Sequence, residues 1–141
     1  MGRVMGIDPG TRRHGVAVSD ELGMLARPVA TVNAAGEEAG VGELTDLARS
    51  LGVERIVVGL PRHMNGSEGE RAQAARQLAE NLASRTGLPV ILWDERLTTR
   101  GAERVLIAAD LPRAHRRRII DQQAAQWILQ SYLDQWRGPA S

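Results

Sequence analysis

One segment constrains the fold more than any other: Arg55-Ile56-Val57-Val58-Gly59, an apolar run too short for a helix and set between two stretches of helical periodicity. A strand apolar on both faces is buried on both, the mark of a parallel sheet covered by helices on either side. Upstream, Val41, Leu44, Leu47, Ala48 and Leu51 recur at helical spacing, and Gly52 closes that helix. Downstream, Ser67 and Glu70 read as a capping box ahead of a second helix whose Ala75, Leu78, Ala79 and Leu82 share a face.

The rest of the chain falls into place around this core. Val4 to Asp8 reads as a short buried strand ended by Pro9 and Gly10; Gly15 to Ser19 and Arg27 to Val32 follow as a second and third. Pro89 to Asp94 is a fifth strand. A third helix is expected after Thr98 or Thr99, burying Ala102, Val105, Leu106 and Ala109, then a loop near Pro112 and a last helix from about Arg117 to Trp136. Short connections make the first three strands an antiparallel meander, while strands separated by helices are joined by right-handed parallel crossovers. The expectation is an α/β fold, a mixed five-stranded sheet with helices on both faces and strand one central, parallel to strands four and five. No repeat, linker or low-complexity tract interrupts the chain, so residues 1–141 are expected to form a single domain.

The chain has no cysteine, which excludes a disulfide scaffold and a thiolate metal site. A bound metal would be held by oxygen or histidine, and carboxylate oxygen suits magnesium or manganese. Met1 to Ile7 lacks the apolar stretch of a signal peptide, and nothing is long enough to span a bilayer, so the expected location is cytoplasmic. The formal net charge is only +1, but all 18 basic residues are Arg. GC-rich coding accounts for their number; their positions carry the functional information.

Ligands of such sheets bind at the carboxyl ends of the parallel strands. Three loops leave that edge: Asp8 to His14, Gly59 to Gly66 and Asp94 to Arg100. They bring acid suited to metal (Asp8, and one of Asp94 and Glu95) beside base suited to phosphate (Arg12, Arg13, Arg62, Arg96 and Arg100). Strand alternation sends Asp94 and Glu95 to opposite faces, so only one can point toward Asp8. In the last helix Asp121 shares a face with Ala125, Ile128 and Tyr132, a costly place for a carboxylate without a partner. The basic run containing Arg116, Arg117 and Arg118 precedes it and is expected to contact phosphate. With 3% aromatic residues, stacking on aromatic rings cannot be the main mode of nucleic-acid binding.

Five fragments in order now resemble the YqgF/RuvX family: Gly6-Ile7-Asp8-Pro9-Gly10 with Arg13 to Asp20, Val58-Gly59-Leu60-Pro61, Met64-Asn65-Gly66-Ser67, Asp94 to Thr99, and Asp121 to Ala125 with Ile128-Leu129-Gln130. The resemblance implies a ribonuclease H-like fold and a nuclease, either a Holliday-junction resolvase or an enzyme maturing the 5′ end of pre-16S ribosomal RNA. It places the family's three metal-binding catalytic acids on Asp8, Glu95 and Asp121, with Asp8 bridging two Mg²⁺ or Mn²⁺ ions. Where the family often carries Lys in the first loop, this chain offers Arg12 and Arg13.

Two other classes fit parts of the pattern. Asp8-Pro9-Gly10-Thr11 also looks like the first phosphate loop of sugar kinases and actin-like ATPases, but those need two such domains. A non-catalytic RNA-binding module for ribosome assembly would keep the fold, though retention of all three acids argues against it. Trp127, Leu129, Leu133 and Trp136 exceed one core stripe on the last helix, so part of that surface is expected to serve a homodimer, which paired cuts across a four-way junction require.

Overall fold

The structure is a computed structural model that describes residues 2–35, 37–97 and 113–137, with the backbone alone for 37–39, 113–120 and 137. Strands β1 (Val4–Asp8), β2 (Arg13–Ser19) and β3 (Ala26–Asn33) are followed by helix α1 (Glu37–Leu51) and strand β4 (Arg55–Leu60). Helix α2 (Glu70–Thr86), strand β5 (Val90–Asp94), a 3₁₀ turn (Glu95–Leu97) and helix α3 (Arg113–Arg137) complete the described chain. The third helix expected after Thr98 or Thr99 lies outside the described residues.

The strands lie in the order β3-β2-β1-β4-β5. β1 is central, antiparallel to β2 and parallel to β4, and β4 is parallel to β5. The β2–β3 register slips by one residue between Val16 and Ala17. That bulge accommodates Pro28 on an edge strand, where its missing N–H costs least.

Alternation along the strands divides the apolar residues between two cores. Met5, Ile7, Val16, Val18, Ile56 and Val58 pack with α1 and α2 on one face. Val4, Ala17 and Val57 pack with Ala125, Ile128, Leu129, Tyr132 and Leu133 of α3 on the other. Each fully buried side chain of this size contributes about 1.5–3 kcal/mol. No helix among the described residues is long and apolar enough to cross a membrane.

Three local expectations change. Ser67 does not cap α2; its amide and hydroxyl both bond to Asn65 Oδ1 in a local turn, and the helix starts behind Gly69 without a side-chain cap. The last helix begins at Arg113, so the basic run occupies its first turns instead of preceding it. Arginine is a strong helix former, and nothing in the run interrupts the helix. The apolar surplus on α3 is mostly absorbed by the sheet. Leu129 and Leu133 are fully buried, Trp127 is half-buried, and Trp136 alone of the four is exposed, with the Arg55 guanidinium 5.9 Å from its ring. Trp93 belongs to the core edge, in a T-shaped contact with Tyr132 and donating to Ser131 Oγ.

Candidate active site

The carboxyl ends of β1, β4 and β5 meet at one edge, and alternation decides which side chains face which way. Val4, Gly6 and Asp8 fall on the α3 face of β1 because Met5 and Ile7 face the other core. On β5, Ile91 and Trp93 pack toward α3 and Leu92 away from it, so Asp94 faces away and Glu95 returns to the α3 side.

Two glycines leave bare backbone on either side of Asp8. Gly15 is its partner on β2. A Cβ there would stand 1.9 Å from the Asp121 carbonyl oxygen, so α3 rests directly on strand backbone at that point. On β4, a Cβ on Gly59 would meet Ile128 Cδ1 at 2.8 Å and Glu95 Oε2 at 3.0 Å. Glu95 therefore lies over Gly59, with Oε2 fully buried. A larger residue at Gly15 would displace the backbone of α3 at Asp121, and one at Gly59 would have to move the Ile128 and Glu95 side chains. Asp8, Glu95 and Asp121 thus come to one face from positions far apart in sequence.

Asp121 is held by a cation. Arg13, on the same face of β2 as Gly15, donates from Nε to Asp121 Oδ2 at 2.9 Å. Among the described residues no three acidic or histidine side chains stand close enough to hold a metal together in this arrangement. The side chains of Asp8, Glu95 and Asp121 are hard oxygen donors of the kind a divalent cation takes, and Glu95 brings a buried carboxylate oxygen, but Asp121 is engaged by Arg13. A hollow of about 560 Å³ in front of Asp121 is lined by Gly10, Thr11, Arg12, Arg13 and Arg71.

The remaining arginines divide. Arg62 and Arg96, expected at phosphate, are ion-paired on the opposite face: Arg96 to Asp94 at 2.7 Å, and Arg62 to Glu68 at 3.3 Å and Asp94 at 3.5 Å. The Arg96 guanidinium, by its hydrogen bond, holds Asp94 below the usual carboxylate range, so Asp94 stays ionised at neutral pH. Arg100 lies outside the described residues, as do the side chains of Arg116, Arg117 and Arg118. Arg71 lines the same hollow, a position that the loops alone did not reveal. It opens α2 and donates to the Pro9 carbonyl at 3.3 Å. The available signal was topological, since a helix following β4 starts at the carboxyl edge.

His14 faces the other core and is buried, and burial lowers its pKa below the ordinary 6.5. It is therefore neutral at pH 7, with Nδ1 accepting from the Gly10 amide at 3.2 Å, and it braces the first loop as a structural group.

The family model for RuvX, described as Holliday junction resolvase, matches residues 2–135. The chain belongs to the RuvX family. A family member from Moorella thermoacetica is 52% identical over 132 residues, 94% of each chain, and carries, provisionally, the name pre-16S rRNA nuclease. One from Myxococcus xanthus, named in the same way, is 50% identical over 137 residues, covering 97% of this chain and 91% of its own. Hydrolysis of nucleic-acid phosphodiester bonds is the chemistry of this RuvX protein's class.

Among solved structures, Thermus thermophilus RuvC bound to a Holliday junction matches with a TM-score of 0.61 at 18% identity, covering 99% of this chain and 98% of that one. The fowlpox virus Holliday junction resolvase matches with a TM-score of 0.54 at 13% identity, covering 94% and 98%. The fold is the ribonuclease H-like fold of these resolvases.

Proposed function

We propose that this RuvX protein is a divalent-metal-dependent endonuclease, a single domain spanning residues 1–141, that hydrolyses phosphodiester bonds in structured nucleic acid. The observation that carries the reading is the bare backbone at Gly15 and Gly59, which admits Asp121 and Glu95 to the face that carries Asp8. Asp8, Glu95 and Asp121 would hold Mg²⁺ or Mn²⁺, with Asp8 as the central ligand. When bound, such ions neutralise charge growing on the phosphodiester and lower the pKa of water. Arg12 and Arg71, at the hollow in front of Asp121, orient the backbone phosphates. Arg100 and the basic start of α3, with Arg116, Arg117 and Arg118, extend that phosphate track. Arg62 and Arg96 serve it less directly, since both are engaged by Asp94.

Of the two substrate classes, precursor 16S ribosomal RNA has the stronger support. Relatives at about half identity over most of their length carry that name; the family model over residues 2–135 is described as Holliday junction resolvase, but the likeness to a junction-bound structure is only 18% identical. A cytoplasmic location follows from that role. A junction-resolving form needs a homodimer with two aligned sites, while trimming an RNA end needs one.

The test is cleavage of matched pre-16S 5′-end RNA and four-way DNA with Mg²⁺ or Mn²⁺, with light scattering on the same samples. RNA cleavage that stops with EDTA is expected. Paired symmetric cuts in the junction by a dimer would transfer the assignment to DNA. Binding without cleavage of either substrate would leave a non-catalytic RNA-binding module and overturn the nuclease reading.

The neighbouring acids give a sharper check. Glu95→Gln is expected to lower metal-dependent cleavage by more than about 100-fold, because loss of even an outer partner of a metal ligand costs about 10–100-fold. Asp94→Asn should cost less than about tenfold in rate and instead lower the melting temperature, at roughly 2–4 °C per kcal/mol. It removes ion pairs to Arg62 and Arg96 and leaves the α3 face alone. Equal rate losses in the two folded variants would reverse the assignment.

A further inference from the structure

A second cavity, of about 500 Å³, lies between the β1–β2 turn and α2, with Gly10, Thr11 and His14 on one side and Arg71, Gln77 and Leu78 on the other. Its volume falls within the roughly 300–1,000 Å³ of sites that take small organic groups. None of the carboxylates assigned to catalysis reaches it.

Its chemistry is distinctive. Pro9, Ala34, Ala74 and Leu78 form an apolar floor, while Thr11, Gln73 and Gln77 supply neutral donors and acceptors. Arg71 brings a planar guanidinium. A flat heteroaromatic group with polar edges matches that combination, because bases stack on arginine planes and hydrogen-bond through their edges. A duplex would not fit, since its bases are stacked and turned inward.

The cavity also borders the proposed catalytic hollow. Gly10, Thr11 and Arg71 line both, so only the Pro9 to Arg12 turn and the Arg71 side chain separate the two spaces. A strand whose phosphate lies against Arg12 and Arg71, in front of Asp121, would cross that turn at the next nucleotide. We infer that the cavity between the β1–β2 turn and α2 receives an unpaired nucleobase next to the scissile phosphate. The inference rests on the nuclease reading and deepens it: the preferred substrate has a splayed-out nucleotide beside the cut, as at a loop, a single-stranded end or an open junction. The site reads the presence of an unpaired base and places the phosphate, which gives structure selectivity without a sequence code.

The test uses the full chain in EDTA, so that binding is read without turnover. Strands carry 2-aminopurine, or an abasic residue, at successive unpaired positions, in one RNA series and one four-way DNA series. Ala74→Leu fills the cavity from an exposed helical position where leucine is well tolerated, and a melting curve confirms its fold. One position is expected to show a fluorescence change on binding that Ala74→Leu abolishes. Removing the base there should weaken wild-type binding about tenfold and Ala74→Leu binding hardly at all. The series that shows this identifies the nucleic acid. The same abasic penalty in both proteins, or none at any position, overturns the pocket; if cleavage with Mg²⁺ or Mn²⁺ persists, the nuclease reading survives it. A position-specific effect in a protein that never cleaves would leave a base-binding cavity but overturn its place beside a scissile phosphate, together with the nuclease reading.

Discussion

Asp8→Asn is expected to abolish cleavage while leaving the fold and nucleic-acid binding nearly intact. Asp8 ends the central strand, half-buried at the rim, with α3 close on one side and Glu95 on the other. Asn keeps its size and the β1–β2 pairing, so the packing that supports it has no reason to change. Three carboxylates on one face repel each other, and removing one charge relieves the metal-free site. Binding survives because arginines supply most of the phosphate attraction. The loss falls on chemistry: about 4 kcal/mol of charge stabilisation by metal corresponds to about 10³-fold in rate. Initial rates at saturating Mg²⁺ and Mn²⁺, with circular dichroism and a binding titration alongside, check it. A variant cutting at a tenth of the wild-type rate would mean that Asp8 is not the central ligand.

Adding one methyl group at Gly15 should damage both stability and activity. The new carbon would meet the Asp121 carbonyl oxygen at 1.9 Å and its carbonyl carbon at 2.5 Å, and both are helix backbone that no rotamer change can move. α3 would have to lift from β2, opening the core formed by Ala125, Ile128 and Leu129 and carrying Asp121 away from Asp8. Overpacking of this kind costs about 1–3 kcal/mol, occasionally more, which at roughly 2–4 °C per kcal/mol is readily seen in a melting curve. Gly42→Ala is the matched control. It lies inside α1, where the nearest atom to a new Cβ is Arg85 Nη2 at 3.8 Å. There the same change should be neutral or stabilising by about 0.5–1 kcal/mol, as expected for glycine to alanine within a helix. If the two variants melt together, α3 does not seat on Gly15 as closely as described.

Much of this protein can be read directly from its chain. The apolar run of β4 between two helical periods requires a parallel, doubly covered strand, and short connections around β1 and β2 require antiparallel neighbours. Together they place β1 at the centre and Asp8 at the carboxyl edge. Period-two alternation separates Asp94 from Glu95 before any coordinates are known, because it is a property of extended backbone. These are local or periodic signals, carried by residues adjacent in sequence. The ion pairs are of another kind. Asp121 meets Arg13 across 108 residues, and Arg62 and Arg96 are drawn to Asp94 on the far face, so only the assembled sheet decides which arginines remain at the hollow in front of Asp121. The same holds for α3, whose apolar surplus resembles a partner surface until its packing on β1, β2 and β3 buries Leu129 and Leu133. Arg71 and the cavity behind the first loop emerge only when the start of α2 is set beside that turn. Pattern determines which face a side chain takes along its own element; which distant charge or surface it meets there depends on how the elements pack.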